Sequence, residues 1–188
     1  VERGAGEMDD TGRYGKTEEV FGVSGALALY RLSALEDVAN GNEYFDEDFF
    51  VYKEDLDLAW RLRLRGWSAL FVPRAKAYHY RAAYGRDQAS FLDVIRGRRG
   101  RSKVVNFYSY RNHLLLLAKN EQVANALLDM PRVAWYELRK FLYIVFAEPA
   151  TLAAIPSYFK LLPRMLRKRR IAMRGAKTRA KEMRKWFV

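Results

Sequence analysis

The densest group of reactive side chains lies in FDEDFFVYKEDLD, residues 45–57, where Asp46, Glu47, Asp48, Glu54, Asp55 and Asp57 place six carboxylates within twelve positions. Carboxylates can take a proton from an attacking hydroxyl, hold a divalent cation, or stabilise the positive end of a helix. The interleaved Phe45, Phe49, Phe50, Val51 and Tyr52 set the stretch apart from an ordinary solvated acidic face. An EF-hand calcium loop is excluded, because it needs alternating acids, a Gly at the sixth position and a Glu at the twelfth, and neither is in register here. Helix capping by Glu54, Asp55 and Asp57, at about 0.3–1 kcal/mol per acid, explains those three without any catalysis. Taken alone, the residues favour that reading. Tyr44 and Tyr52 stand beside the acids and are candidates to stack on a ligand ring, whereas Trp60 and Trp67 read as core. His113 falls within a helical pattern and reads as a packed residue rather than a catalyst.

These groups are positioned by elements whose signals differ in strength. The firmest is a helix over 54–65: acids fill its first turn, Arg61, Arg63 and Arg65 its last, and Gly66 comes next as a stop. Upstream, the apolar run 20–31 predicts a buried strand entering a small-residue turn at Gly22 to Gly25, and Ser33 predicts the cap of a short helix ended by Gly41. Downstream, 67–72 and 75–80 read as short strands broken by Pro73, with Ala75, Ala77 and His79 on one face. Residues 81–102 are rich in Arg and Gly and read as a loop with a helical piece near 91–95. Beyond residue 100 the pattern turns helical over 106–120 and 131–147, and Pro149, Pro156 and Pro163 punctuate the chain after that. The expected organisation is therefore α/β over 1–100 and all-helical over 101–188.

Charge and composition narrow the function classes. The chain of 188 residues carries a net charge of +12. Residues 160–188 hold twelve Lys and Arg against one acid, Glu182, so +11 of that charge sits in the tail. The remainder is nearly neutral, which does not describe a globally basic nucleic-acid surface, and no nucleic-acid partner is expected. Without cysteine there is no disulfide framework, thiolate metal site or cysteine nucleophile. The first residues are polar and Gly-rich, without the order of a signal peptide, and read as a loop within a domain whose start lies upstream. No stretch gives the roughly 20 apolar residues of a clean membrane span. The uncharged segments 141–147 and 149–159 and the basic tail instead suggest interfacial helices on an anionic membrane surface, with Met165, Leu166, Ile171, Met173, Met183, Trp186 and Phe187 facing the headgroups.

Read in order, GALALYRLSALEDV, YFDEDFFVYKEDLDLAWRLRLRGW and LFVPRAKAYHY resemble the second half of the catalytic domain of the family 2 glycosyltransferases. In that family a small-residue acceptor segment, an aromatic and acidic loop, a Glu-Asp pair opening a helix, a strand and a His succeed one another. The lead VERGAGEMDDTGRY is similar to the segment before the acceptor strand in rhamnosyltransferase-like members. Each motif is weak alone; their ordered conjunction is specific, and it covers residues 1 to about 120. The resemblance implies a partial GT-A fold, with 1–100 as its acceptor-side half and 101–188 as a helical, membrane-surface region.

The resemblance further implies an inverting transfer from a nucleotide-diphosphate sugar to a lipid-linked or glycan acceptor, in cell-surface polysaccharide synthesis at the cytoplasmic face of the plasma membrane. Asp55 matches the base for the acceptor hydroxyl and Glu54 its partner. Gly25 lies in the acceptor segment, and Tyr44, Tyr52 and Arg81 are candidate substrate contacts, with Arg86 beside the last. His79 matches the ligand of a divalent metal, Mn²⁺ or Mg²⁺, at the departing diphosphate; neutral imidazole suits Mn²⁺ better. The nucleotide-binding strands and Asp-x-Asp motif of the family have no counterpart here, since Asp9-Asp10 lies too close to the acceptor segment. The chain by itself is thus expected to bind a nucleotide sugar poorly. The alternative is a non-enzymatic membrane-surface interaction module.

Overall fold

The computed structural model describes residues 15–76 and 101–187. The elements are strand β1 (Glu18–Val20), helix α1 (Leu32–Val38), helix α2 (Glu54–Leu64), strand β2 (Ala69–Phe71), helix α3 (Lys103–Asn120), helix α4 (Val123–Ala147), helix α5 (Ala154–Arg174) and helix α6 (Ala180–Arg184). Short 3₁₀ turns occupy Gly25–Leu27, Glu47–Phe49 and Pro149–Ala153. β1 and β2 pair antiparallel, with Glu19 opposite Leu70. The described residues are thus mostly helical around a two-stranded sheet.

Helix α2 is the hub, and it forms where the sequence predicts it. Glu54, Asp55 and Asp57 occupy its first turn, and Gly66, at φ +87°, reverses the chain after it. Its arginines do more than complement the helix dipole. Buried Arg61 donates to the carbonyls of Val38 and Tyr44, each at 2.6 Å, and to Asp57 at 2.9 Å. Arg63 reaches the carbonyls of Phe21 and Val20 and the Glu19 carboxylate. The guanidinium forks therefore fasten α1 and β1 to α2.

Four local expectations need correction. The apolar run 20–31 is strand only through Val20; Leu27 and Leu29 are exposed, and the chain passes so close to α2 that a Cβ on Gly22 would collide with Ala59. Ser33 lies inside α1 and does not cap it; Arg31 precedes the helix without a side-chain cap. Helix α4 begins at Val123 and runs through Pro131 rather than starting there. Pro156 sits in the first turn of α5, where an absent N–H costs nothing, and Pro163 lies inside that helix.

The basic tail folds back on the core. Phe49, Trp60, Leu64, Leu115, Leu116, Met165 and Met183 form one buried cluster drawn from the acidic loop, α2, α3, α5 and α6. Met165 and Met183, expected to face lipid headgroups, are fully buried, and Trp186 packs against the cluster beneath the Arg63 guanidinium. The tail also satisfies the end of α2: the Lys177 and Thr178 amides donate to the Leu64 carbonyl at 2.7 and 3.1 Å, and the Thr178 hydroxyl donates to the Arg63 carbonyl. Both carbonyls lie in the last turn, where helix hydrogen bonding runs out, and that of Arg63 also accepts the Gly66 amide at 3.0 Å. No single helix among the described residues is long and apolar enough to cross a membrane; α4 and the 149–174 segment reach that length and apolarity only together, as a pair bent by 120°.

A buried charge network locks these pieces together. Lys119, 2% exposed, donates to Asp46 at 2.6 Å and to Asp57 at 2.9 Å. Lys168 reaches Asp46, Asp48 and Glu43 at 2.6, 2.9 and 3.0 Å, and Asn120 donates to Asp57 at 2.7 Å. Burial alone would raise the Asp46 carboxyl, but the ammonium groups of Lys119 and Lys168 outweigh it and hold it below its ordinary value of 3.8. Replacing Lys119 by Met keeps the stem and removes the charge; it should cost about 3 kcal/mol in urea unfolding, because buried carboxylates lose their counter-ion. A carboxyl with a depressed folded-state pKa contributes stability that is present above its ordinary value and lost as pH falls towards the folded one. Stability should therefore decline on acidification below about pH 4, and Asp46→Asn should flatten that decline in pH-dependent unfolding curves.

Candidate functional site

The site is the junction where the acidic loop enters α2. Three consecutive features make that junction costly for the backbone. Phe50 adopts φ 62°, ψ −63° while the Val51 amide donates to the Phe49 carbonyl at 2.7 Å, which is the rare γ-turn of the unfavourable hand. Tyr52 and Lys53 come after it at φ 67° and φ 70°, a region that residues with a Cβ seldom occupy. Strain of this kind persists only where surrounding contacts over-determine it.

Those contacts come from α3, through residues to which sequence reasoning assigned no role. Asn112, with no exposed surface, places its amide nitrogen 2.8 Å from each of the Phe49, Val51 and Tyr52 carbonyls. With two hydrogens for three acceptors, one bond is shared. Arg111 donates to the Asp48 carbonyl at 2.7 Å and to the Phe49 carbonyl at 3.2 Å, and its guanidinium lies 4.7 Å from the Tyr108 ring centre. The adjacent Arg111-Asn112 dipeptide was visible in sequence as two polar residues within an apolar helix. Its acceptors lie some sixty residues away and could not be read there.

Asp55 emerges on the far side of this clamp, in the first turn of α2. One of its carboxylate oxygens accepts the Leu56 amide at 2.8 Å and the other accepts the Gly25 amide at 3.2 Å. The structure thus joins two of the residues singled out from sequence across thirty positions. A Cβ on Gly25 would stand 3.8 Å from that of Asp55, in ordinary contact, so the two segments lie side by side without crowding. Neighbouring Glu54 differs: one of its oxygens is buried without a hydrogen-bond partner, and burial, reinforced by the Asp55 charge, raises its pKa. Tyr30, missed in the sequence, borders the site; burial first and the Asp55 charge second push its phenol up. Lys53 is lowered by burial, with Asp55 and Glu137 opposing.

The other expected residues divide. Tyr52 belongs to the clamped loop beside the acid pair. Tyr44 is partly exposed and lends its carbonyl to Arg61, with no contact to Asp55. His79, Arg81 and Arg86 lie outside the described residues. Trp60 is core, as expected, and Trp67 donates to Asp37 at 2.9 Å. His113 is packed, its Nε2 2.6 Å from Glu137, with its pKa lowered by burial against the opposing pull of that carboxylate. Among the described residues no three His, Asp or Glu side chains converge on a metal position. Asp46, Asp48 and Asp57 each lie against a cationic group, which leaves the donor set at this junction unsuited to a cation.

A partly exposed carboxylate held on two backbone amides, beside a partly buried acid and a phenol, can accept a proton from a hydroxyl. A family model described as Glycosyl transferase family group 2 matches residues 13–146. Two curated relatives, both named N-acetylglucosaminyl-diphospho-decaprenol L-rhamnosyltransferase, from Mycobacterium tuberculosis strains CDC 1551 / Oshkosh and ATCC 25618 / H37Rv, are 44% identical over 71 residues. The match covers 37% of this chain and 22% of each relative. No solved structure matches significantly. Replacing Asn112 by Ala should take a donor from the Phe49, Val51 and Tyr52 carbonyls, leaving Phe49 with Arg111 and the Val51 amide, and free the strained loop, lowering stability by about 2–3 kcal/mol in denaturant unfolding, with increased hydrogen exchange at residues 49–53.

Proposed function

The chain belongs to glycosyl transferase family group 2, and on that premise we propose that it is the acceptor-side part of an inverting glycosyltransferase of GT-A type. It acts on a nucleotide-diphosphate sugar, rhamnosyl or hexosyl in kind, and a lipid-linked or glycan acceptor. The observation that carries this reading is the Asp55 carboxylate at the opening of α2, partly exposed and held by the Gly25 and Leu56 amides. Residues 1–100 form the acceptor side of the catalytic domain and 101–188 the helical region that braces it. The named activity of the curated relatives supports a polyprenyl-diphosphate sugar as the acceptor class.

In the transfer, the acceptor hydroxyl oxygen attacks the anomeric carbon from the face opposite the leaving group. Its proton passes to Asp55 as the new carbon–oxygen bond forms, and the nucleoside diphosphate departs with the electron pair of the broken bond. The weak basicity of a carboxylate suffices because the hydroxyl acidifies as it attacks. Glu54 supports Asp55 electrostatically; Tyr52 and Tyr44 are placed as sugar contacts, and Gly25 admits the acceptor. A divalent metal at the diphosphate would neutralise the leaving group, with His79 as its ligand and Arg81 as a further diphosphate contact.

Helices at an anionic, cytoplasmic membrane face would bring Asp55 to a lipid-borne acceptor and place the reaction in cell-surface polysaccharide assembly. The rival, a non-enzymatic membrane-surface module, shares the membrane contact and needs no Asp55. Asp55→Asn in the full-length gene product should lower turnover by about 10²–10⁴-fold with an unchanged unfolding curve, measured as transfer from a nucleotide-diphosphate sugar to a polyprenyl-diphosphate acceptor. Unchanged turnover would remove Asp55 as the base and favour the rival.

A further inference from the structure

Helix α4 carries its amphipathicity inside out. At 100° per residue, Leu127, Leu128, Trp135, Leu138, Leu142 and Phe146 fall on one side of the helix, within an arc that contains no charged residue from Val123 to Phe146. All six are exposed, Leu127 at 67%, Trp135 at 61% and Phe146 at 83%. The opposite, polar side is the one turned to the protein. There Asn125 donates to the Ala180 carbonyl at 2.9 Å, Asp129 pairs with Arg184 at 2.7 Å, and Glu137 meets His113 at 2.6 Å. These contacts, spread along the helix, fix its rotation, so the apolar side cannot turn inward without breaking all three. At 1.5 Å per residue, the run from Leu127 to Phe146 gives an apolar strip about 29 Å long, far more than scattered surface leucines.

We propose that this strip is the membrane-docking surface of the protein, with α4 lying in the plane of an anionic leaflet and its apolar side sunk to the acyl boundary. Charge decides the occupant. Arg132 and Arg139 border the strip on its own helix, and α5 exposes Lys160, Arg164, Arg167, Arg170 and Arg174. A second copy of the chain would set the same arginines against one another, whereas anionic headgroups complement them. Apolar residues including Trp on one side and basic residues at the margin are the attributes of a helix in the interfacial plane. The mount is stiff: Glu137 joins α4 to α3, and the next residue along α3 from His113, Asn112, clamps the loop that leads to Asp55. A docked α4 therefore sets the position of the carboxylate relative to the leaflet. The assignment rests on the membrane partner of the proposed function and replaces Met165 and Met183 of the tail as its contacts.

The test is binding of the full chain to phosphatidylcholine vesicles containing phosphatidylglycerol, without turnover. Leu138→Glu combined with Leu142→Glu should weaken vesicle binding by about tenfold or more, with the far-UV circular dichroism unchanged. In a second arm that needs no charged substitution, brominated lipids should quench tryptophan emission of the unaltered protein, and Trp135→Phe should abolish most of that quenching. Undiminished binding by a folded double variant, or quenching that survives Trp135→Phe, overturns the proposal. So does self-association without vesicles that the double variant dissolves, which would assign the strip to a second copy. Asp55→Asn should bind vesicles normally, so loss of the catalytic reading and loss of the docking surface are told apart.

Discussion

Two ammonium groups, those of Lys119 and Lys168, hold the molecule in register. Each belongs to a C-terminal helix, and each is inserted among the aspartates of a loop with almost no backbone pairing of its own. Removing such charges from water is costly, and the cost is offset only because every one meets carboxylate oxygens at close range. That requirement makes the arrangement specific. The acidic loop can neutralise its buried Asp46 only when α3 and α5 are docked, Asp57 of α2 gains Lys119 and Asn120 beside its own-helix partner Arg61, and the lysines can be buried only when the loop is folded beneath them. The apolar cluster of Phe49, Trp60, Leu115 and Met165 then closes around the pairs.

The site inherits its rigidity from this lock. Six neighbouring carboxylates of similar intrinsic acidity are sorted by surroundings into different tasks. Asp46, Asp48 and Asp57 are bound to cations, Glu54 is half-buried with an orphaned oxygen, and Asp55 faces outward on neutral amide donors. The sixth, Glu47, is exposed on the acidic loop, and Asp55 is partly exposed and held on two backbone amides, as the proposed base requires. The strained turn at Phe50 to Lys53 aims the opening of α2, while Asn112 and Arg111 keep that turn from relaxing. Membership of glycosyl transferase family group 2 fits this division of labour.

The helical region is a brace on one side and a docking surface on the other. Its inner faces supply Lys119, Asn112, His113 and Lys168 to the catalytic part, and its outer face on α4 is apolar and unburied. The bracing residues on α3 and the outward strip on α4 are joined through the Glu137–His113 contact, which ties the position of Asp55 to that of the strip. For an acceptor whose sugar is tethered to a lipid, that geometry limits the search to a thin layer above the leaflet.

Helix α2 and its limits were legible because acids, arginines and glycine stand at positions where local backbone electrostatics alone demand them. The candidate pair Glu54-Asp55 was legible for the same reason, as was the helical character after residue 100, whose periodicity is a local property. Leu27 and Leu29 were misread as strand because apolarity does not reveal whether a partner strand arrives. Met165 and Met183 of the tail were misread as lipid-facing because a methionine at helical spacing suits a bilayer and a protein core equally. Only tertiary structure decided that Met165 and Met183 are core, that Lys119 and Lys168 are buried, and that Gly25 touches Asp55. It alone decided that α4 presents its apolar side outward. Each of these depends on which distant segment fills the space beside a residue, and a local pattern carries no record of that.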